Sequence, residues 1–172
     1  MTANSAQRNH VAEGPQLIRA ARYSYAALAW AFVAAIVLQV FFIGLGLFEN
    51  SEFRTLHINV GWILHLAPLL VLVAAAAGGA GRREILVVTA MAVLVWFLPI
   101  LAALRSTIPL AAAFHPLSAM VAFSLAILVA RGATNLAAGT EARATPIREW
   151  LLVAVVVAVL LFLSFSGSPE PT

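Results

Sequence analysis

Long apolar runs alternate with short polar breaks along the whole chain, and this rhythm is the main structural signal. The runs lie at about residues 25–48, 57–77, 85–104, 109–130 and 150–165. Most reach or approach the roughly 20 residues that a helix needs to cross the hydrocarbon of a bilayer. The predicted fold class is an all-α integral membrane protein, a four-helix transmembrane bundle over 23–132 plus a fifth, C-terminal transmembrane helix over 149–166. A cytoplasmic N-terminal tail (1–22), a cytoplasmic polar linker (133–148, approached from Arg131) and an external tail (167–172) complete the layout. The first run starts too late and is too long for a cleaved signal peptide.

The breaks and the interruptions inside the runs place the helix ends. Tyr23, Tyr25 and Trp30 suit the interfacial end of span one, and Gln39 is its one strongly polar interior residue. Span two runs from about His57 to Ala77, carries Pro68, and stops at Gly78-Gly79-Ala80-Gly81, a sequence that reads as a tight connection. Span three carries Pro99, which lipid tolerates when neighbours satisfy the freed carbonyl. Two starts are open for span four, near Pro109 or at Pro116, since proline suits the first helical position. Span five is a uniform valine and leucine surface as far as Ser164, and is expected to add a lipid-facing helix to a four-helix unit.

Composition narrows the chemistry. With 63% apolar and 10% charged residues, and a mean hydropathy of +0.99, the chain lies far outside the soluble range, and the bilayer is its first partner. Spans use up the 172 residues, leaving no room for a soluble catalytic domain. Cysteine is absent, which excludes disulfides, thiolate metal sites and thiol nucleophiles. No nucleophile constellation, phosphate-binding glycine loop or nucleotide motif is present, so an enzymatic role is at most redox or haem handling. The basic residues are all arginine and sit between apolar runs, so they speak for topology rather than for nucleic acid. Arg8, Arg19, Arg22, Arg82, Arg83, Arg131, Arg143 and Arg148 fall on one side, and only Arg54 and Arg105 on the other. By the positive-inside rule the N-terminus is expected in the cytoplasm and the C-terminus outside.

That orientation brings His57, His65 and His115 to the outer half, beside both exceptional arginines. Ionisable groups inside a span are costly and mark functional sites by default. His57, Gly61 and His65 form H-x-x-x-G-x-x-x-H, and each four-residue step advances about 40 degrees around a helix. Gly61 would leave a notch between the two histidines. On span four, His115 is followed by Ser118, Ala119 and Ala122, small residues on the same face. A ligand next to missing bulk on two helices is what a flat macrocycle needs, so His57, His65 and His115 are candidate axial ligands of a haem b. His65 lies about 12 Å deeper than His57 at 1.5 Å per residue, so it matches His115 if span four starts near Pro109, and His57 matches if it starts at Pro116. Arg54 and Arg105 stand where the propionates would emerge. The plainer alternative is that these side chains link or cap helices, with His65 bonded to Gln39, and that Gly61 and the alanines are helix-packing contacts.

His57 with Gly61, and His115 with Pro116, are also the residues of a resemblance covering about 20–132. The chain resembles an uncharacterised family of small actinobacterial four-span membrane proteins with a histidine and a glycine four apart on span two and a His-Pro pair opening span four. Its layout is similar to one half of haem A synthase, and more loosely to four-helix b-type cytochromes. The resemblance implies haem ligands on spans two and four. It departs from haem A synthase in carrying Arg54 where that enzyme has a glutamate three residues before its first histidine, and in lacking the repeated four-helix unit.

The leading expectation is haem b binding for electron transfer, haem handling or redox sensing. The second is a non-catalytic accessory or scaffold subunit of a respiratory or other membrane complex. A small-solute transporter is disfavoured, because no acidic residue falls inside the expected spans and no inverted repeat shows.

Overall fold

Helix formation follows the apolar runs closely, and the departures sit at prolines and glycines. The computed structural model describes residues 3–139 and 145–166, with side chains over 16–139 and 145–164. Helix α1 spans Ala3–Phe48, α2 Glu52–Leu64, α3 Ala67–Ala77, α4 Arg82–Ala103, α5 Pro109–Ala112, α6 Phe114–Ala138 and α7 Ile147–Ser166. A short 3-10 turn, Leu104–Ser106, follows α4. No strand occurs among the described residues. Five helical stretches are long and apolar enough to cross a membrane: Gln16–Phe48, Glu52–Ala77, Arg82–Ser106, Pro109–Ala138 and Ile147–Ser164.

Several expected boundaries move. Residues 3–22 belong to α1 rather than to a separate tail, and helix α6 runs on through the first part of the expected linker to Ala138. The second expected span is two helices, broken at His65 and Leu66. Pro68 explains the break: it has no N–H for the Leu64 carbonyl, and its ring crowds that position. Span four starts near Pro109, but span two starts at Glu52 rather than near His57, so His57 and His115 lie five and six residues into their stretches and the depth match expected for His65 passes to His57. Both prolines of span four are used. Pro109 opens α5, and Pro116, unable to bond the Ala112 carbonyl, accompanies the interruption at Ala113. The remainder of the linker at 140–144 and the tail at 167–172 lie outside the described residues.

At the end of α3 the chain reverses through a Schellman turn. The Gly79 N–H bonds the Ala76 carbonyl at 3.1 Å and the Ala80 N–H bonds Ala75 at 3.0 Å. Gly79 sits at φ 78°, which a side chain would strain, so this glycine is required by geometry.

Spans one to four form a ring. Helix α1 packs on α2, α3 and α6, and α4 packs on α3 and α6, so spans two and four face each other diagonally. Helix α7 lies against α3 and α4. It is more than a lipid-facing addition: Val153 joins the main core, and Leu160 is buried with Leu69 and Ala92. The expectation failed because an all-round valine and leucine surface does not reveal which stripe is covered.

The core is concentrated at one end. Tyr25, Leu72, Ile85, Val88, Met91 and Ala130 are almost fully buried, towards the end of the bundle that carries Arg22, Arg82 and Arg83. The other end holds the histidines, and no residue of α2 or α5 is buried there. Large apolar side chains such as Phe41, Trp62, Leu128 and Phe162 are exposed on the outer faces, a surface that water would penalise and lipid would not.

Candidate functional site

The histidine end is built from α1, α2, the far end of α4 and the start of α6. Asn50 accepts from the Glu52 N–H at 2.9 Å, an Asx turn that starts α2 directly after α1. The two helices touch at Gly46, where a Cβ would lie 2.8 Å from the Arg54 backbone nitrogen. This close approach sets α2 alongside α1 and brings Gln39 to His57.

The His57 Nδ1 is 3.0 Å from the main-chain carbonyl of Gln39. With its amide nitrogen turned towards α2, the Gln39 side chain donates to the His57 carbonyl at 2.9 Å and accepts from the Gly61 N–H at 3.2 Å. The same nitrogen is 2.7 Å from His57 Nδ1. A Cβ at Gly61 would lie 3.8 Å from the Gln39 side-chain amide, an ordinary contact distance, so the amide lies along this face without requiring a glycine there. The notch expected at Gly61 is thus taken by Gln39. The expected Gln39 partner, His65, is replaced by His57.

His115, half-buried at the start of α6, places its Nδ1 2.9 Å from the Leu98 carbonyl on α4, next to Pro99. His57 and His115 therefore share one arrangement. Each ring holds a main-chain carbonyl of the neighbouring helix through Nδ1, and in the tautomer that donates this bond the Nε2 keeps its lone pair.

His65 is different. Its Nδ1 bonds the Trp62 carbonyl of its own helix, and its Nε2 is 3.5 Å from the Ser164 hydroxyl on α7. Ser164 also accepts the Trp96 indole N–H at 2.9 Å. The Pro68 break turns His65 towards this α4 and α7 network rather than towards His115. Arg54 and Arg105 are both exposed at the ends of their helices, as expected for charges at a bundle mouth.

The arginine end carries a second polar cluster, only partly legible beforehand. Arg22, read as a topology marker, is 3% exposed. Its Nε donates to the Gly78 carbonyl at 2.9 Å and its Nη1 to the Gly139 carbonyl at 3.2 Å, so one guanidinium ties the carboxyl ends of α3 and α6 to α1. Cations are favoured at such termini. Thr145 donates to the Ala76 carbonyl at 2.7 Å. The Tyr25 hydroxyl donates to Glu84 Oε1 at 3.1 Å. Gly132 makes room for that carboxylate, because a Cβ there would sit 2.9 Å from the same oxygen. Glu52, Glu84 and Glu149 each lie in the first turn of a stretch long enough to cross a membrane, so the stretches, which begin earlier than the expected spans, carry an acidic residue at one end. The signal that could have found this cluster is Glu84 directly following Arg82 and Arg83.

Residues 39–107 match a family of unknown function (DUF6220). The matched stretch holds Gln39, Gly46, Arg54, His57, Gly61, His65 and Arg105, and ends before His115. Since that family has no known function, the match carries no activity to this chain. No curated protein and no solved structure matches the chain.

Proposed function

We propose that this chain is an integral membrane protein that holds a haem b between His57 and His115. The observation that carries the reading is the shared Nδ1 arrangement. Ligating histidines commonly give their other ring nitrogen to a carbonyl, which fixes the tautomer and orients the ring for the metal. Here the two carbonyls belong to Gln39 and Leu98, and the two histidines stand on diagonal spans in the half of the bundle that lacks a tight core. The donor set suits haem iron, which accepts neutral imidazole. His65, engaged with Trp62 and Ser164, is left out of the ligand set. Gly61 serves Gln39 rather than a macrocycle face. Arg54 and Arg105 would pair with the propionates.

His57 and His115 would hold the group through neutral imidazole nitrogens, and the bound haem would supply one-electron transfer. In the plasma membrane, with the arginine-rich end in the cytoplasm, the site would open to the outside. Expression with ample haem, followed by an absorption spectrum of the purified protein oxidised and then reduced, tests this reading. His57→Ala and His115→Ala should each abolish the haem bands.

A second reading is favoured by the Gln39 amide. If its nitrogen donates to His57 Nδ1 across the 2.7 Å contact, the proton moves to Nε2 and the ring ceases to be a ligand. The histidines would then serve as links between helices, in an accessory subunit of a membrane complex. Nitrogen chemical shifts of the His57 ring distinguish the two tautomers.

A further inference from the structure

Between α4 and α6, at the arginine end, the surface is hollowed. One shallow, open depression of about 620 Å³ is lined by Arg82, Arg83, Leu86, Val87, Ala90 and Leu125. A second, of about 440 Å³, shares Arg83 and Val87 with it, is also lined by Gly81 and Glu84, and continues to Leu128, Val129 and Gly132. The floor is apolar and the mouth is cationic. Both arginines are exposed, and α4 begins directly at Arg82 from an extended Gly81 with no side-chain cap on its first turn. Glu84, which would repel an anion at this mouth, has one oxygen on the Tyr25 hydroxyl and is seated over Gly132.

We infer that this groove binds an anionic phospholipid, with Arg82 and Arg83 on its phosphate and an acyl chain along Leu86, Val87, Ala90 and Leu125. Guanidinium groups match phosphate through paired N–H donors. Basic pockets between helices on the cytoplasmic side suit anionic headgroups. The apolar floor selects an amphiphile over a free anion, because a soluble phosphate would leave it uncovered. The inference rests on the membrane reading given above, but not on haem.

Native mass spectrometry of the full chain, loaded with phosphatidylglycerol or with phosphatidylcholine of the same acyl chains, tests it. The chain should retain phosphatidylglycerol in clear preference to phosphatidylcholine. Arg82→Gln with Arg83→Gln should cut that preference roughly thirtyfold, and either alone about fivefold, the effect of one basic residue at a lipid surface. Ala90→Trp, which fills the floor and spares the arginines, should also cut retention, and excess inorganic phosphate should leave it unchanged. Equal retention of the two lipids overturns the site. So does displacement by phosphate with no effect of Ala90→Trp, the behaviour of a simple anion site. Alkaline carbonate separates the two claims: release of the chain from membranes overturns the membrane reading and this site with it, whereas a chain that stays embedded without discriminating lipids overturns the site alone.

Discussion

Gln39 on α1 and His57 on α2 meet through both main chain and side chain. The Gln39 carbonyl lies 3.0 Å from the imidazole Nδ1, while the Gln39 amide spans the His57 carbonyl and the Gly61 N–H one turn later. One residue thereby orients the ring and ties α2 to α1. Polar links of this kind between membrane helices contribute about 0.6 kcal/mol on average and up to about 1.7. Gln39→Leu should lower stability by about 1 kcal/mol, read as a fall in thermal midpoint, while retaining haem, since the carbonyl that holds Nδ1 is main chain. Loss of haem in Gln39→Leu without loss of fold would contradict this division of roles.

The approach of α2 to α1 depends on Gly46. A Cβ at that position meets backbone atoms of Arg54, which cannot yield as a side chain would, whereas at Gly44 it meets nothing within 4 Å. Gly46→Ala should therefore destabilise the bundle by about 1–3 kcal/mol, the usual range for overpacking, and Gly44→Ala should be close to neutral. Equal thermal midpoints for the two variants would show that the helices do not approach at Gly46.

Helix α7 should be needed for full stability. Leu160 packs on Leu69 and Ala92, and Ser164 receives the Trp96 indole N–H. Since lipid is as apolar as leucine, the cost of Leu160→Ala is mainly the cavity, about 1–2 kcal/mol. Truncation before Pro146 should lower the thermal midpoint and open Trp96 to a lipid-soluble quencher. An unchanged midpoint and unchanged quenching after truncation would return α7 to the role of a separate, lipid-facing helix.

Much of this architecture was legible from the chain alone, and the rest was hidden for identifiable reasons. Apolar run length marks the five membrane-length helices, and the glycine run at 78–81 marks the turn that Gly79 requires. Partner choice was not legible. Gln39 lies at a depth that suits His65 as well as His57, and only the crossing of α1 and α2 at Gly46 decides between them. Pro68 was visible as an interruption, but its effect on the direction of His65 depends on where α7 lies. Arg22 looks like any flanking arginine until the carboxyl ends of α3 and α6 are brought to it.

The orientation expected from arginine placement is open to direct test, because the chain has no native cysteine. Single cysteines at Ser51 or Ser106 should react with a membrane-impermeant maleimide in intact cells, and one at Gly81 should react only after permeabilisation. The reverse pattern would invert the orientation derived from the positive-inside rule.

The most direct test of the haem reading is the absorption spectrum of the full chain, expressed with ample haem and purified in mild detergent, together with its His115→Ala and His65→Ala variants. A Soret band with sharp reduced α and β bands is predicted for the wild type, lost in His115→Ala and kept in His65→Ala. A folded wild-type protein with no Soret band would contradict the account, as would a band that survives His115→Ala.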